Sequence, residues 1–278
     1  MNRILLWVHA LLPWTGFCQE DPLNPHDSLG KYSYLIIGVR ADPNLPATLP
    51  LEERLQNIEY STGFFIRTST RLYLVSAFHV FTDCEVYTGI FHDIRAEFLA
   101  ICYTDTSGNY KRQTLSLGPY RSKPCWYFLE HPDVDTMDVT DYFKDACINS
   151  IEQLLPPAKP GQKRTDGREF IGYGYHADKF NDYVTRNRDL PRHPSGYIGQ
   201  EADAAHYDPR YNYTAIGSMY IVLTPALVPG TSGAPLFRVM RDRKRREFVQ
   251  FAGVQSGTND RYNCSLIVKP AELRKLLN

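Results

Sequence analysis

Two short stretches hold residues that could open an acyl bond. In Pro229-Gly230-Thr231-Ser232-Gly233-Ala234-Pro235-Leu236-Phe237 a serine sits among glycines. A nucleophilic serine needs a sharp backbone turn, so that its hydroxyl projects. It also needs N–H groups converging on one spot and no bulky side chain over the substrate carbonyl. Flanking glycines supply the dihedral angles and the clearance. The N–H groups of Gly230 and Ser232 would then form an oxyanion hole, and losing one such donor raises a barrier by roughly 3 kcal/mol. Upstream, Leu72-Tyr73-Leu74-Val75-Ser76-Ala77-Phe78-His79-Val80-Phe81 is an apolar strand that ends in small residues and delivers a histidine. Histidine is the usual general base because it titrates near neutrality. Taken singly, a glycine-rich turn before a strand and a histidine at a strand end are both common. Together they supply a nucleophile and a base.

The two stretches carry a family resemblance. Leu74 to Val80 resembles the histidine segment of trypsin-like serine peptidases, and Pro229 to Phe237 resembles their serine segment, in the order histidine then serine. Ser195-Gly196-Tyr197-Ile198-Gly199 is similar to a strand that bacterial members carry before the serine loop. Phe251-Ala252-Gly253-Val254-Gln255-Ser256-Gly257 resembles the strand that lines their substrate cleft. The resemblance spans roughly residues 32 to 278. It implies an all-β fold of two six-stranded antiparallel β-barrels with a C-terminal helix and the site between the barrels. It also implies a serine endopeptidase that acts on polypeptides through an acyl-enzyme and needs no cofactor. Thr231 stands where many animal members have an acid that pairs with a freed N-terminus, so activation by that route is not expected.

The third member of such a site is an acid that orients His79. It should lie between His79 and Ser232, near the start of an apolar strand. His131-Pro132-Asp133-Val134-Asp135-Thr136-Met137-Asp138-Val139 offers three candidates. Family spacing after His-Pro selects Asp135, the apolar pattern around the acid suits Asp133, and Asp138 comes third. Asp135 is favoured slightly over Asp133. A blurred acid segment also leaves an alternative: a catalytically impaired member of the fold that acts as a peptide- or protein-binding module. Thr224 to Val228, before the serine loop, carries no acid, so an apolar or small substrate side chain is predicted rather than Lys or Arg.

The surrounding elements read as β structure. Strands are predicted at Tyr32 to Val39, Phe170 to Tyr175, Ser218 to Leu223 and Ser265 to Val268. Paired runs at Ser61 to Arg67 and Arg71 to Ala77, and at Ile94 to Tyr103 and Tyr110 to Leu117, predict hairpins. Pro235 to Val239 and Glu247 to Val254 flank a basic run, Arg238 to Arg246, which reads as a solvated hairpin tip; an acidic partner is the alternative. A helix is predicted at Pro270 to Leu277, with Leu273, Leu276 and Leu277 on one side. The expected organisation is a signal peptide over 1–18, a flexible lead-in over 19–30, an N-terminal barrel over 31–153, a linker over 154–168, and a C-terminal barrel with its closing helix over 169–278.

Bulk properties narrow the function further. Lys plus Arg and Asp plus Glu are each 31 in 278 residues, so the formal charge is zero and a general nucleic-acid binder is not expected. His92, His131, His176, His193 and His206 form no helix-spaced metal motif, so no metal is expected. Ile4 to Phe17 is apolar apart from His9 and Thr15. It is too short for a membrane span of about 20 residues and reads as a signal peptide for a secreted or periplasmic protein. The 6 cysteines leave disulfide pairing open.

Overall fold

The computed structural model describes residues 27–92, 95–144, 146–156, 165–176, 194–241 and 247–277. The segments read as signal peptide (1–18), the first part of the lead-in, most of the linker and the tip at 242–246 lie outside the described residues. In chain order the strands are β1 (Tyr34–Ala41), β2 (Leu55–Arg67), β3 (Leu72–Ser76), β4 (Cys84–Glu85), β5 (Ile90–Phe91), β6 (Phe98–Thr104), β7 (Tyr110–Ser116), β8 (Asp135–Asp138), β9 (Thr165–Gly174), β10 (Ser195–Ala202), β11 (Tyr220–Thr224), β12 (Pro235–Arg241), β13 (Glu247–Asn259) and β14 (Cys264–Val268).

The second half closes into a barrel in the order β10-β11-β14-β13-β12-β9. The first half is a six-stranded antiparallel sheet in the order β7-β6-β1-β2-β3-β8. Its two edge strands do not pair, so the expected first barrel is open there. A side chain partly bridges the gap: Tyr120, just after β7, donates its hydroxyl to the Thr136 carbonyl of β8 at 2.7 Å.

The sequence dictates these layers through alternation. In β1 the residues from Tyr34 to Val39 are buried in succession, because the strand is central and covered on both faces. Ile36 enters a cluster with Phe65, Leu74 and Ile101, while Leu35, Ile37 and Val39 enter another with Ala100 and Tyr175. A third cluster runs along the seam between the halves. Phe64 of the first half meets Phe251 of the second, with ring centroids 5.4 Å apart. Burying one such ring stabilises the fold by roughly 1.5–3 kcal/mol.

Several boundaries differ from expectation. Residues 27–32 form a 3-10 helix with Leu29 in the core, so the lead-in is anchored by apolar burial before its expected end. Strand β9 begins at Thr165, inside the stretch expected to be linker, because it pairs there with Arg241 of β12. The closing helix Pro270–Leu277 buries Leu273, but Leu276 is 41% exposed and does not share that face.

Phe65 is fully buried, edge-on to Tyr34 at 4.7 Å and to Phe143 at 5.3 Å. Phe65→Ala is expected to lower unfolding free energy by about 3–5 kcal/mol in a denaturant titration. A loss under about 1 kcal/mol would show that this cluster does not hold the first half together.

Candidate active site

Strand β3 runs out at Ser76, and Ala77 in an extended conformation precedes the short helix Phe78–Thr82. His79 thus sits in a first helical turn, where its backbone N–H has no intrahelical acceptor. Asp133 supplies one: its Oδ1 accepts the His79 N–H at 3.1 Å, and its Oδ2 lies 2.8 Å from His79 Nδ1. An ionised carboxylate only accepts, so Nδ1 carries the proton and Nε2 of the neutral ring is left with its lone pair.

Asp133 is fully buried. A carboxylate there needs full hydrogen bonding to stay charged. A third donor, the Ser256 hydroxyl of β13, reaches Oδ2 at 2.7 Å. The Asp133 backbone N–H donates to the Tyr220 hydroxyl at 3.0 Å, and that hydroxyl donates in turn to the Phe128 carbonyl at 3.0 Å. Burial pushes the Asp133 carboxyl up, but the His79 charge and these hydrogen bonds more than offset it and hold it below its ordinary value. For His79, burial pushes the pKa down. The charge and hydrogen bond of Asp133, helped by Glu59 and Asp83, outweigh this and raise it. Burial and the nearby Asp83 push Glu59 up to about 8, and Asp133, in direct contact, exerts the largest pull on the imidazole.

These shifts set a pH window. The raised His79 pKa adds stability that is present below the ordinary histidine value and is lost as pH rises through the folded value. The lowered Asp133 pKa adds stability that is present above the ordinary carboxyl value and is lost as pH falls through the folded value. The pair therefore holds most firmly at mildly acidic pH.

The geometry reverses the order of the acids. Asp133, and not the favoured Asp135, meets His79. Asp135 opens β8 in register with Ser76, and its carboxylate pairs with Lys123 and accepts the Thr136 N–H at 2.8 Å. Asp138 ends the strand against Arg71 at 3.3 Å and the Thr140 hydroxyl at 2.6 Å. Once β8 starts at Asp135, its side chains belong to the first-half sheet. Asp133 precedes the strand, where the chain passes beneath Tyr220. The Cys84–Cys125 disulfide ties the chain just past the His79 helix to the chain just before Asp133, and Trp126 stacks on Phe78 at 3.5 Å. That pairing was open in the sequence.

Ser232 rides on a turn in which Thr231 N–H donates to the Val228 carbonyl at 3.3 Å and Gly230 takes φ of 90°. The Thr231 hydroxyl braces the same turn from within, donating to Val228 O at 2.6 Å. Strand β2 clamps the loop from the other half. Thr62 N–H donates to Ser232 O at 2.9 Å, and its hydroxyl donates to Gly230 O at 3.0 Å while accepting Tyr175 N–H at 2.9 Å. Gly233 takes φ of 83°, and a Cβ there would lie 2.0 Å from Ser76 Oγ, so no side chain fits. The Gly230 and Ser232 N–H groups have no acceptor among the described residues. Ser232 Oγ donates to the Ser256 carbonyl at 3.2 Å.

The structure thus brings His79, Gly230 and Ser232 onto one cleft of about 270 Å³, with Asp133 behind His79. Sequence reasoning missed Thr62, Tyr220 and the role of Ser256. Of these, only Ser256 had a signal, since strand alternation opposes it to its neighbours. Among the described residues no cluster of three or more potential ligands could hold a metal ion.

No protein-family model matches the sequence, and no curated protein matches it. In solved structures the chain is similar to the protease Anisep from Arthrobacter nicotinovorans, at 12% identity over 91% of this chain and 96% of that one, with a TM-score of 0.49. It is also similar to HL collagenase, at 11% identity over 91% and 93% of the two chains with a TM-score of 0.47. A thermostable serine protease from an extremophilic microorganism, AL20, shares 11% identity over 89% and 95%, with a TM-score of 0.42.

An NMR titration of the His79 ring tests the contact. Asp133→Asn is expected to lower the His79 pKa, because it removes the charge that favours the imidazolium, whereas Asp135→Asn leaves it in place. The opposite pattern would assign the histidine to Asp135.

Proposed function

We propose that this chain is a serine endopeptidase in which Ser232 is the nucleophile, His79 the general base and Asp133 the residue that orients the base. The observation that carries this reading is the 2.8 Å contact between His79 Nδ1 and a buried Asp133, on the cleft that also holds Ser232 and Gly230. With Nδ1 held by the carboxylate, Nε2 is the ring atom free to take a proton.

Ser232 Oγ turns from the Ser256 carbonyl toward the imidazole and attacks the peptide carbonyl carbon, while His79 accepts the hydroxyl proton. The Gly230 and Ser232 N–H groups stabilise the charge on the carbonyl oxygen. The C–N bond breaks as His79 returns the proton to the leaving amine. Water, deprotonated by the same imidazole, then cleaves the acyl-enzyme. No cofactor enters these steps. An imidazolium between Asp133 and the substrate is the charge that develops, and the pull of Asp133 on the His79 pKa favours it.

One observation favours a non-catalytic, peptide-binding reading: Ser232 Oγ rests on the Ser256 carbonyl. The hydrogen bond between a catalytic serine and its histidine often forms fully only with substrate bound. Export to an oxidising compartment, secreted or periplasmic, fits the Cys84–Cys125 disulfide. No helix among the described residues is long and apolar enough to cross a membrane.

A fluorophosphonate probe tests the reading. The wild-type chain is expected to label, and Ser232→Ala and His79→Ala are expected not to. Among active chains, Asp133→Asn should lose about four orders of magnitude in turnover, and Asp135→Asn far less. Folded wild type that stays unlabelled would favour the binding module. Because His79 must be neutral to act as base, kcat/KM is expected to rise with pH through its raised pKa. A profile flat across that range would remove His79 from the base role.

A further inference from the structure

Gln255 lies beside the nucleophile and takes no part in the chemistry above. Its carbonyl accepts the Gly233 N–H at 2.7 Å, and its own N–H donates to the Ala234 carbonyl at 2.9 Å. Its neighbours on β13, Val254 and Ser256, turn toward the seam and toward Asp133. Alternation therefore sends Gln255 to the opposite face, opposite Ile267 of β14. Ile267 belongs to an apolar cluster with Leu227 and Leu236. The Gln255 side chain is only 1% exposed, yet its Oε1 has no hydrogen-bond partner among the described residues. The residue lines the same cleft as Ser232 and Gly230. A buried acceptor without a donor keeps its full desolvation penalty, so such groups call for an explanation. A ligand that supplies the donor is one.

We propose that Gln255 is a specificity-determining residue: its carboxamide receives the side chain of the substrate residue whose carbonyl Ser232 attacks, and that side chain is a carboxamide, glutamine or asparagine. This rests on the peptidase reading. Oε1 needs a donor, and a primary amide offers one while also accepting from the other end of the Gln255 amide. A lysine or arginine side chain would need a counter-charge. The one carboxylate among the cleft-lining residues, Glu85, lies on β4 in the first half and not on β13 beside Gln255. The inference departs from the apolar preference that Thr224 to Val228 predicts. Of that segment only Val228 lines the cleft, and the polar anchor comes from β13.

The test uses two fluorogenic peptides that differ only in glutamine or methionine before the leaving group. Wild type is expected to favour the glutamine peptide by about 100-fold in kcat/KM, since the methionine peptide leaves the buried Gln255 amide unpaired. Gln255→Met should abolish that preference, and Gln255→Glu should raise cleavage of the matching lysine peptide. Fluorophosphonate labelling of each chain runs alongside. Labelled wild type with a ratio near one, or labelled Gln255→Met with an unchanged ratio, overturns the inference and leaves the peptidase reading intact. If Gln255→Met fails to fold, the wild-type ratio and Gln255→Glu decide. Wild type that neither labels nor cleaves overturns the peptidase reading and the inference together.

Discussion

A carboxylate buried without compensation is so unfavourable that it would take up a proton or unfold its surroundings. Asp133 is buried completely, and the fold around it is arranged to keep it charged. Two donors come from the His79 turn at the end of β3, and one comes from Ser256 on β13. Tyr220 of β11 fixes the backbone that carries it. The compensation therefore draws on both halves of the molecule, and the charge is stable only when the halves are docked. The aromatic seam that docks them, with Phe64 on Phe251, is thus also a requirement of the electrostatics.

The Ser232 loop obeys a parallel constraint. Its turn needs glycine at 230 and 233 for positive φ, and Gly233 also presses against Ser76 and the backbone of Thr62. Thr62 then holds the Ser232 and Gly230 carbonyls, which leaves their N–H groups without internal acceptors among the described residues. Ser76, which ends the strand delivering His79, donates its hydroxyl to the Thr62 carbonyl at 2.8 Å. His79 and Ser232 are therefore positioned by one continuous run of hydrogen bonds through β2 and β3. In the proposed reaction, substrate meets donors that are already aimed, which is the condition for strong electrostatic stabilisation.

Much of this was legible in the sequence because it depends on local pattern. The two glycines around Ser232, the small residues before His79 and the apolar runs of β1, β3 and β14 all act within a few residues. Asp133 was harder, because the choice between it and Asp135 depends on where β8 begins. That start is fixed by pairing with β3, a long-range contact that spacing does not encode. Thr62, Tyr220 and the Cys84–Cys125 bridge act across the chain in the same way. The opening of the first sheet between β7 and β8 is likewise a matter of strand lengths and register.

Pre-steady-state kinetics with a chromogenic ester address the central claim most directly. The chain, mixed in excess ester, should release a burst of product equal to one acyl group per active chain, followed by slower turnover, and mass spectrometry should place the acyl group on Ser232. Release without a burst and without an adduct, or an adduct on another residue, would contradict an acyl-enzyme formed at Ser232.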